Sequence, residues 1–103
     1  MTGPSRIRAA SKDGITEIRI LMTHEMETGL RRDGAGALVP AWFIQEVAVK
    51  LNGADAALCQ LGPSIARNPY LLLKLKGGAP GDTVSVGWKD SRGESRTDSV
   101  RVS

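Results

Sequence analysis

The feature that most constrains this chain is an alternation of apolar and polar residues with a period of two. Ile18, Ile20 and Met22 alternate with Glu17, Arg19 and Leu21. Leu71, Leu73 and Leu75 alternate with Leu72, Lys74 and Lys76, and Val84, Val86 and Trp88 with Thr83, Ser85, Gly87 and Lys89. Ala57, Cys59 and Leu61 repeat the pattern, as do Val100 and Val102. Phe43, Val47, Val49 and Leu51 share one phase, interrupted by Gln45. Successive side chains of a strand point to opposite faces, so each run predicts a strand with one face in a core and the other in water. No window of about eleven residues carries a helical stripe. The stretch from Pro40 to Lys50 comes nearest, and its β-branched and aromatic content favours a strand.

Turn signals separate the runs. Asn52-Gly53 is the strongest, because both central residues of a type I′ hairpin turn need positive φ. Asp33-Gly34-Ala35-Gly36, Gly77-Gly78-Ala79-Pro80-Gly81 and Asp90-Ser91-Arg92-Gly93 mark three more. With a short leading strand at Arg6-Ile7-Arg8, these make about seven strands with turns roughly every 8–12 residues. That pattern predicts an all-β fold, an immunoglobulin-like antiparallel β-sandwich, filling one domain over residues 1–103. The Cys…Trp…Cys spacing of antibody domains is absent.

Composition removes several function classes. The net charge is only +3, Phe, Trp and Tyr make up 4%, and no basic run exceeds Arg31-Arg32, which speaks against nucleic acid. No apolar run approaches the ~18 residues of a transmembrane helix. Met1 to Arg6 lacks the apolar core of ~7–15 residues of a secretory signal, so no export signal is expected on the chain itself. One His, His24, and one Cys, Cys59, cannot supply a copper or zinc ligand set, so no metal or other cofactor is expected. No Ser stands in a nucleophile-elbow context. Cys59 lies among Ala57, Leu58 and Leu61 on the inward phase, and reads as a small core residue with an inert thiol. An enzyme using His24 with Glu27 as an acid–base pair is the catalytic alternative.

Two polar segments break the strand pattern. The first runs His24-Glu25-Met26-Glu27-Thr28-Gly29 and is followed by Arg31, Arg32 and Asp33. The second runs from Gly62 to Tyr70, and its two prolines and Asn68-Pro69 step predict a rigid connection that sets Tyr70 at a contact surface. In order and spacing, His24, Met26, Glu27, Thr28, Gly29, Arg31, Arg32 and Asp33, then Asn52-Gly53, then Asn68-Pro69-Tyr70 resemble the SoxZ family, the smaller subunit of the SoxYZ carrier of thiosulfate oxidation. The resemblance runs from about Ile7 to the C-terminus. Glu25 stands where the family commonly has Pro, and Arg67 where it often has Ala.

The resemblance implies a role. SoxY carries the pathway's sulfur intermediates on a Cys in a Gly-rich C-terminal arm, and with Arg101-Val102-Ser103 as the last residues no such arm is expected on this chain. It would be the non-catalytic subunit, pairing with a SoxY-like chain as a heterodimer, stabilising it and presenting its arm to other thiosulfate-oxidation enzymes. His24, Met26, Glu27, Thr28, Gly29, Arg31, Arg32, Asn68, Pro69 and Tyr70 would be the partner contacts, with one of Arg31 and Arg32 facing anionic sulfur species. The family works in the periplasm, which implies export bound to a signal-bearing partner. A free-standing sandwich module for protein interaction and a divergent SoxZ-like subunit of a related carrier are the alternatives. Leu21, Leu58 and Leu72 fall off the inward phase and are expected at the surface, where exposed apolar groups mark partner contacts.

Overall fold

The computed structural model describes residues 2–103. Seven strands follow one another: β1 (Gly3–Lys12), β2 (Ile15–Thr23), β3 (Ile44–Leu51), β4 (Ala54–Gln60), β5 (Tyr70–Lys76), β6 (Thr83–Asp90) and β7 (Ser95–Arg101). They form two antiparallel sheets, one ordered β1-β2-β5 and the other β4-β3-β6-β7. This is the expected sandwich. The leading strand is longer than Arg6-Ile7-Arg8, because β1 pairs along β2 from Lys12↔Ile15 back to Gly3↔Thr23. Asn52-Gly53 closes the β3–β4 hairpin with φ of 52° and 81°, as the type I′ turn requires.

The inward phases meet as expected. Ile18, Ile20 and Met22 of β2, Val47 and Val49 of β3, and Val84, Val86 and Trp88 of β6 are buried, with Ala9 and Val102 closing the core. Each fully buried side chain of this kind stabilises the fold by about 1.5–3 kcal/mol relative to exposure. One register differs from the simple alternation. Ile44 pairs with Asp90 and Glu46 with Lys89, so Gln45 is the extra residue of a β-bulge. The bulge turns Ile44 fully inward beside Val47 and leaves Gln45 in solvent.

The two long sides of the sandwich differ. On one, β1 meets the C-terminus: Ser103 N–H donates to Ala9 O at 2.9 Å and Ser11 N–H to Ser103 O at 3.0 Å. On the other, β4 pairs with β3 and β5 with β2, so β4 and β5 are free edges of opposite sheets. Their inward residues Ala57, Cys59 and Leu61, and Leu71, Leu73 and Leu75, are therefore only half-buried. Cys59 points inward, as its phase predicts, but edge position denies it the full burial expected of a core residue.

Candidate functional site

The two polar segments singled out in the sequence meet at one end of the sandwich. Met22 N–H donates to Pro69 O at 2.9 Å, continuing the β2–β5 ladder past Leu21↔Tyr70. His24 N–H then donates to the Asn68 side-chain oxygen at 3.0 Å, and Asn68 N–H returns to His24 O at 3.0 Å. Asn68 adopts a φ of 53°, a left-handed conformation that Asn tolerates better than most residues. Arg67 bridges to Glu25 at 3.1 Å, adding a charged clasp.

His24 is fully buried. Its Nδ1 accepts Met26 N–H at 3.0 Å, which requires a lone pair there, so the proton is on Nε2. Nε2–H donates to Asp90 Oδ2 at 3.0 Å, and Trp42 Nε1–H donates to the same oxygen at 2.7 Å. Asp90 Oδ1 accepts the N–H groups of Arg92 at 3.0 Å and Glu94 at 2.9 Å. Burial alone would raise the Asp90 carboxyl, but the bonds from His24, Trp42, Glu94 and Arg92 outweigh it and hold it below its ordinary value. The rings of Trp42 and Trp88 pack edge-on against His24 at 4.9 and 5.4 Å. Arg92 lies over the Trp42 ring at 4.1 Å, a cation–π contact that roofs the cluster.

A hairpin leaves this base. Glu27 and Trp42 exchange N–H···O bonds of 2.6 and 3.0 Å, and Val39 N–H donates to Arg31 O at 2.8 Å. Asp33 ends it in a turn, its carboxylate accepting the N–H groups of Ala35 and Ala37. Every residue from Leu30 to Leu38 is exposed, Leu30 at 83%. Met26 sets the hairpin's departure with a φ of 51°, and its sulfur accepts Ile44 N–H at 3.2 Å. Arg31 grips Glu27 with Nε at 3.2 and 3.0 Å and Nη2 at 2.7 Å, which holds the Glu27 carboxyl below its ordinary range.

The structure thus divides the expected contact residues. His24, Met26, Glu27 and Pro69 are buried, so they shape this end from within and offer no side chain to a partner. Thr28, Arg31, Arg32, Asn68 and Tyr70 are exposed and Gly29 is half-buried. Arg31 is committed to Glu27, while among the described residues the Arg32 side chain donates to Gly36 O alone, at 2.8 Å. His24 bonds Asp90 and Met26, and Glu27 bonds Arg31, so the two do not form an acid–base pair. Among the described residues no three His, Cys, Asp or Glu side chains gather to hold a metal ion.

The family model of sulphur oxidation protein SoxZ matches residues 6–101. The chain belongs to the SoxZ family. No curated protein sequence matches it. The SoxZ match begins at Arg6 within β1 and ends with the last residue of β7, so it takes in β2 to β7 whole, most of β1, and both segments of the His24 end. The SoxZ description places the chain in sulfur oxidation. Three residues of this end, Trp42, Asp90 and Arg92, carry no signal in the sequence as site residues. Asp90 shows there only as the first residue of a turn, a position where Asp commonly accepts the N–H two residues on.

Proposed function

We propose that this SoxZ-family chain is the non-catalytic subunit of a thiosulfate-oxidation carrier. It pairs with a SoxY-type chain, stabilises it and presents that chain's Cys-bound sulfur intermediates to the pathway's enzymes. The observation that carries this reading is the SoxZ match over residues 6–101. The geometry of His24 supports a non-catalytic role, because both ring nitrogens are engaged inside the protein and the ring is sealed from solvent. Work in the periplasm, after export in the company of a signal-bearing SoxY-type partner, belongs to the same proposal.

Pairing is best supported by the outer face of the β4-β3-β6-β7 sheet. Leu58, Ala48, Gly87 and Thr97 stand in one row across its strands, with Ser85 and Ser99 beside them. Leu58 is 60% exposed. Charged residues are depleted at the centre of stable interfaces, and this central row carries none, with Lys50 and Asp55 in the row on one side and Glu46 and Lys89 in the row on the other. Leu21 and Leu72 lie on the opposite sheet, so the three off-phase leucines do not form one patch.

The test is co-expression with a tagged SoxY-type chain. A one-to-one complex should elute from the tag and survive size-exclusion chromatography, and Leu58→Asp should weaken it while leaving the circular dichroism of the domain intact. Failure of the parent chain to co-purify would overturn the carrier reading, whereas a complex indifferent to Leu58→Asp would overturn only the face assigned to it.

A further inference from the structure

The outer face of the β1-β2-β5 sheet concentrates charge in a way that the rest of the molecule does not. Strand register sets four rows across it: Arg6, Leu21 and Tyr70; Arg8, Arg19 and Leu72; Ala10, Glu17 and Lys74; Lys12, Ile15 and Lys76. Six cations stand against one carboxylate, a balance of +5. The remaining eight cations and ten carboxylates of the chain sum to −2, within a total of +3. Arg19 is tied to Glu17 at 2.9 Å. Arg6, Arg8, Lys12, Lys74 and Lys76 are exposed, and among the described residues none of them has a carboxylate at ion-pair distance. Arg8 stands directly opposite Arg19, a like-charge cross-strand pair that costs stability.

We infer that this basic face is a docking surface for the acidic surface of a protein that binds and leaves, distinct from any permanent subunit contact. Permanent interfaces are depleted in Lys and in charge at their centre, and this face is the reverse. Charge of this density raises association rates and gives contacts that weaken with salt. The apolar component is local: Tyr70, Leu72 and Leu21, exposed at 55%, 49% and 39%, cluster at the end of the face nearest His24. A protein surface can bury such a patch beside its carboxylates. Single-stranded nucleic acid is bound through several stacking aromatics, and this face has Tyr70 alone. A uniformly anionic membrane would meet Glu17 in the middle of the cations, which a surface of mixed sign accommodates.

The inference goes beyond the carrier reading and stands without it. Its test uses the full chain and three labelled probes at low ionic strength: a peptide of Glu-Leu-Glu-Asp repeats, an oligothymidine of matched charge, and phosphatidylglycerol vesicles. The peptide should bind most tightly by fluorescence anisotropy. The variant Arg6→Glu/Arg8→Glu/Lys74→Glu should weaken it by about tenfold or more. The charge-matched variant Lys50→Glu/Lys89→Glu/Arg101→Glu, on the opposite sheet, should change it less than about twofold. Arg6→Gln/Arg8→Gln/Lys74→Gln, a milder change to the same exposed positions, should give an intermediate loss. Equal weakening by the two glutamate variants would overturn the inference, because net charge and not this face would then be responsible. Tighter binding of the oligothymidine or the vesicles than of the peptide would overturn the class of partner.

Discussion

Replacing Asp90 by Ala removes the acceptor shared by His24 Nε2–H, Trp42 Nε1–H and the N–H groups of Arg92 and Glu94. The two main-chain donors lie in an exposed turn and can rebind water. The His24 donor cannot, because that ring has no exposed surface, and Trp42 is half-buried. A buried donor stripped of its acceptor costs about 1–3 kcal/mol, so Asp90→Ala should destabilise the domain by about 2–4 kcal/mol. At about 4–8 °C per kcal/mol for a domain of this size, the melting midpoint should drop by about 8–32 °C. Asp90→Asn keeps the shape and one acceptor oxygen but turns an amide against donors on one side, and should cost about 1–2 kcal/mol. Urea unfolding at neutral pH measures both. Native-state trypsin cleavage after Arg31 and Arg32 should accelerate in Asp90→Ala, since the hairpin base rests on this cluster. A change within about 0.5 kcal/mol of the parent, the range of an ordinary surface substitution, would refute the claim that Asp90 organises this end.

Three further outcomes follow from the same geometry. Asp90 and Glu27 have folded pKa values below their unfolded ones, so their stabilisation is complete above about pH 5 and is lost as pH falls through about 4 and lower; the urea midpoint should decline across that window and decline less in Asp90→Asn, and an identical acid slope would contradict the assignment. Gly78 has a φ of +84°, and an added Cβ would run into the buried Thr16 hydroxyl, which itself donates to Gly77 O at 2.7 Å; Gly78→Ala should therefore cost about 1–3 kcal/mol in a thermal melt, and an unchanged midpoint would be incompatible with that packing. Cys59 is half-buried on an edge strand, so Cys59→Ser should cost less than about 1 kcal/mol and leave sulfur turnover of a reconstituted carrier intact; loss of turnover in a folded serine variant would make Cys59 a chemical site.

The period-two pattern made most of the fold legible, because in β2, β5 and β6 the inward phase of the sequence is the inward phase of the sheet. Where the pattern misled, a local insertion was responsible. Gln45 reads as a polar break in a core face, and the bulge that expels it is encoded by pairing with β6, which no local window contains. Cys59 shows the limit of phase as a guide to burial: alternation gives direction, while strand order decides how much protein lies on that side. The His24 segment was legible as a unit but not as an interior. Its polarity signals solvent in a sequence, and Asp90, Trp42 and Asn68, which lie outside the segment at positions 90, 42 and 68, convert His24 into a buried group. The concentration of cations on one face was likewise invisible along the chain, because Arg6, Arg19 and Lys74 come from three strands that the register brings side by side.

Reconstituted thiosulfate oxidation, assembled from a SoxY-type carrier chain and the pathway's oxidising enzymes with components omitted one at a time, tests the central claim most directly. Oxidation should fall away when this chain is left out and return when it is added, and the chain by itself should consume no thiosulfate. An undiminished rate in its absence, or turnover by the isolated chain, would contradict its assignment as the non-catalytic subunit of the carrier.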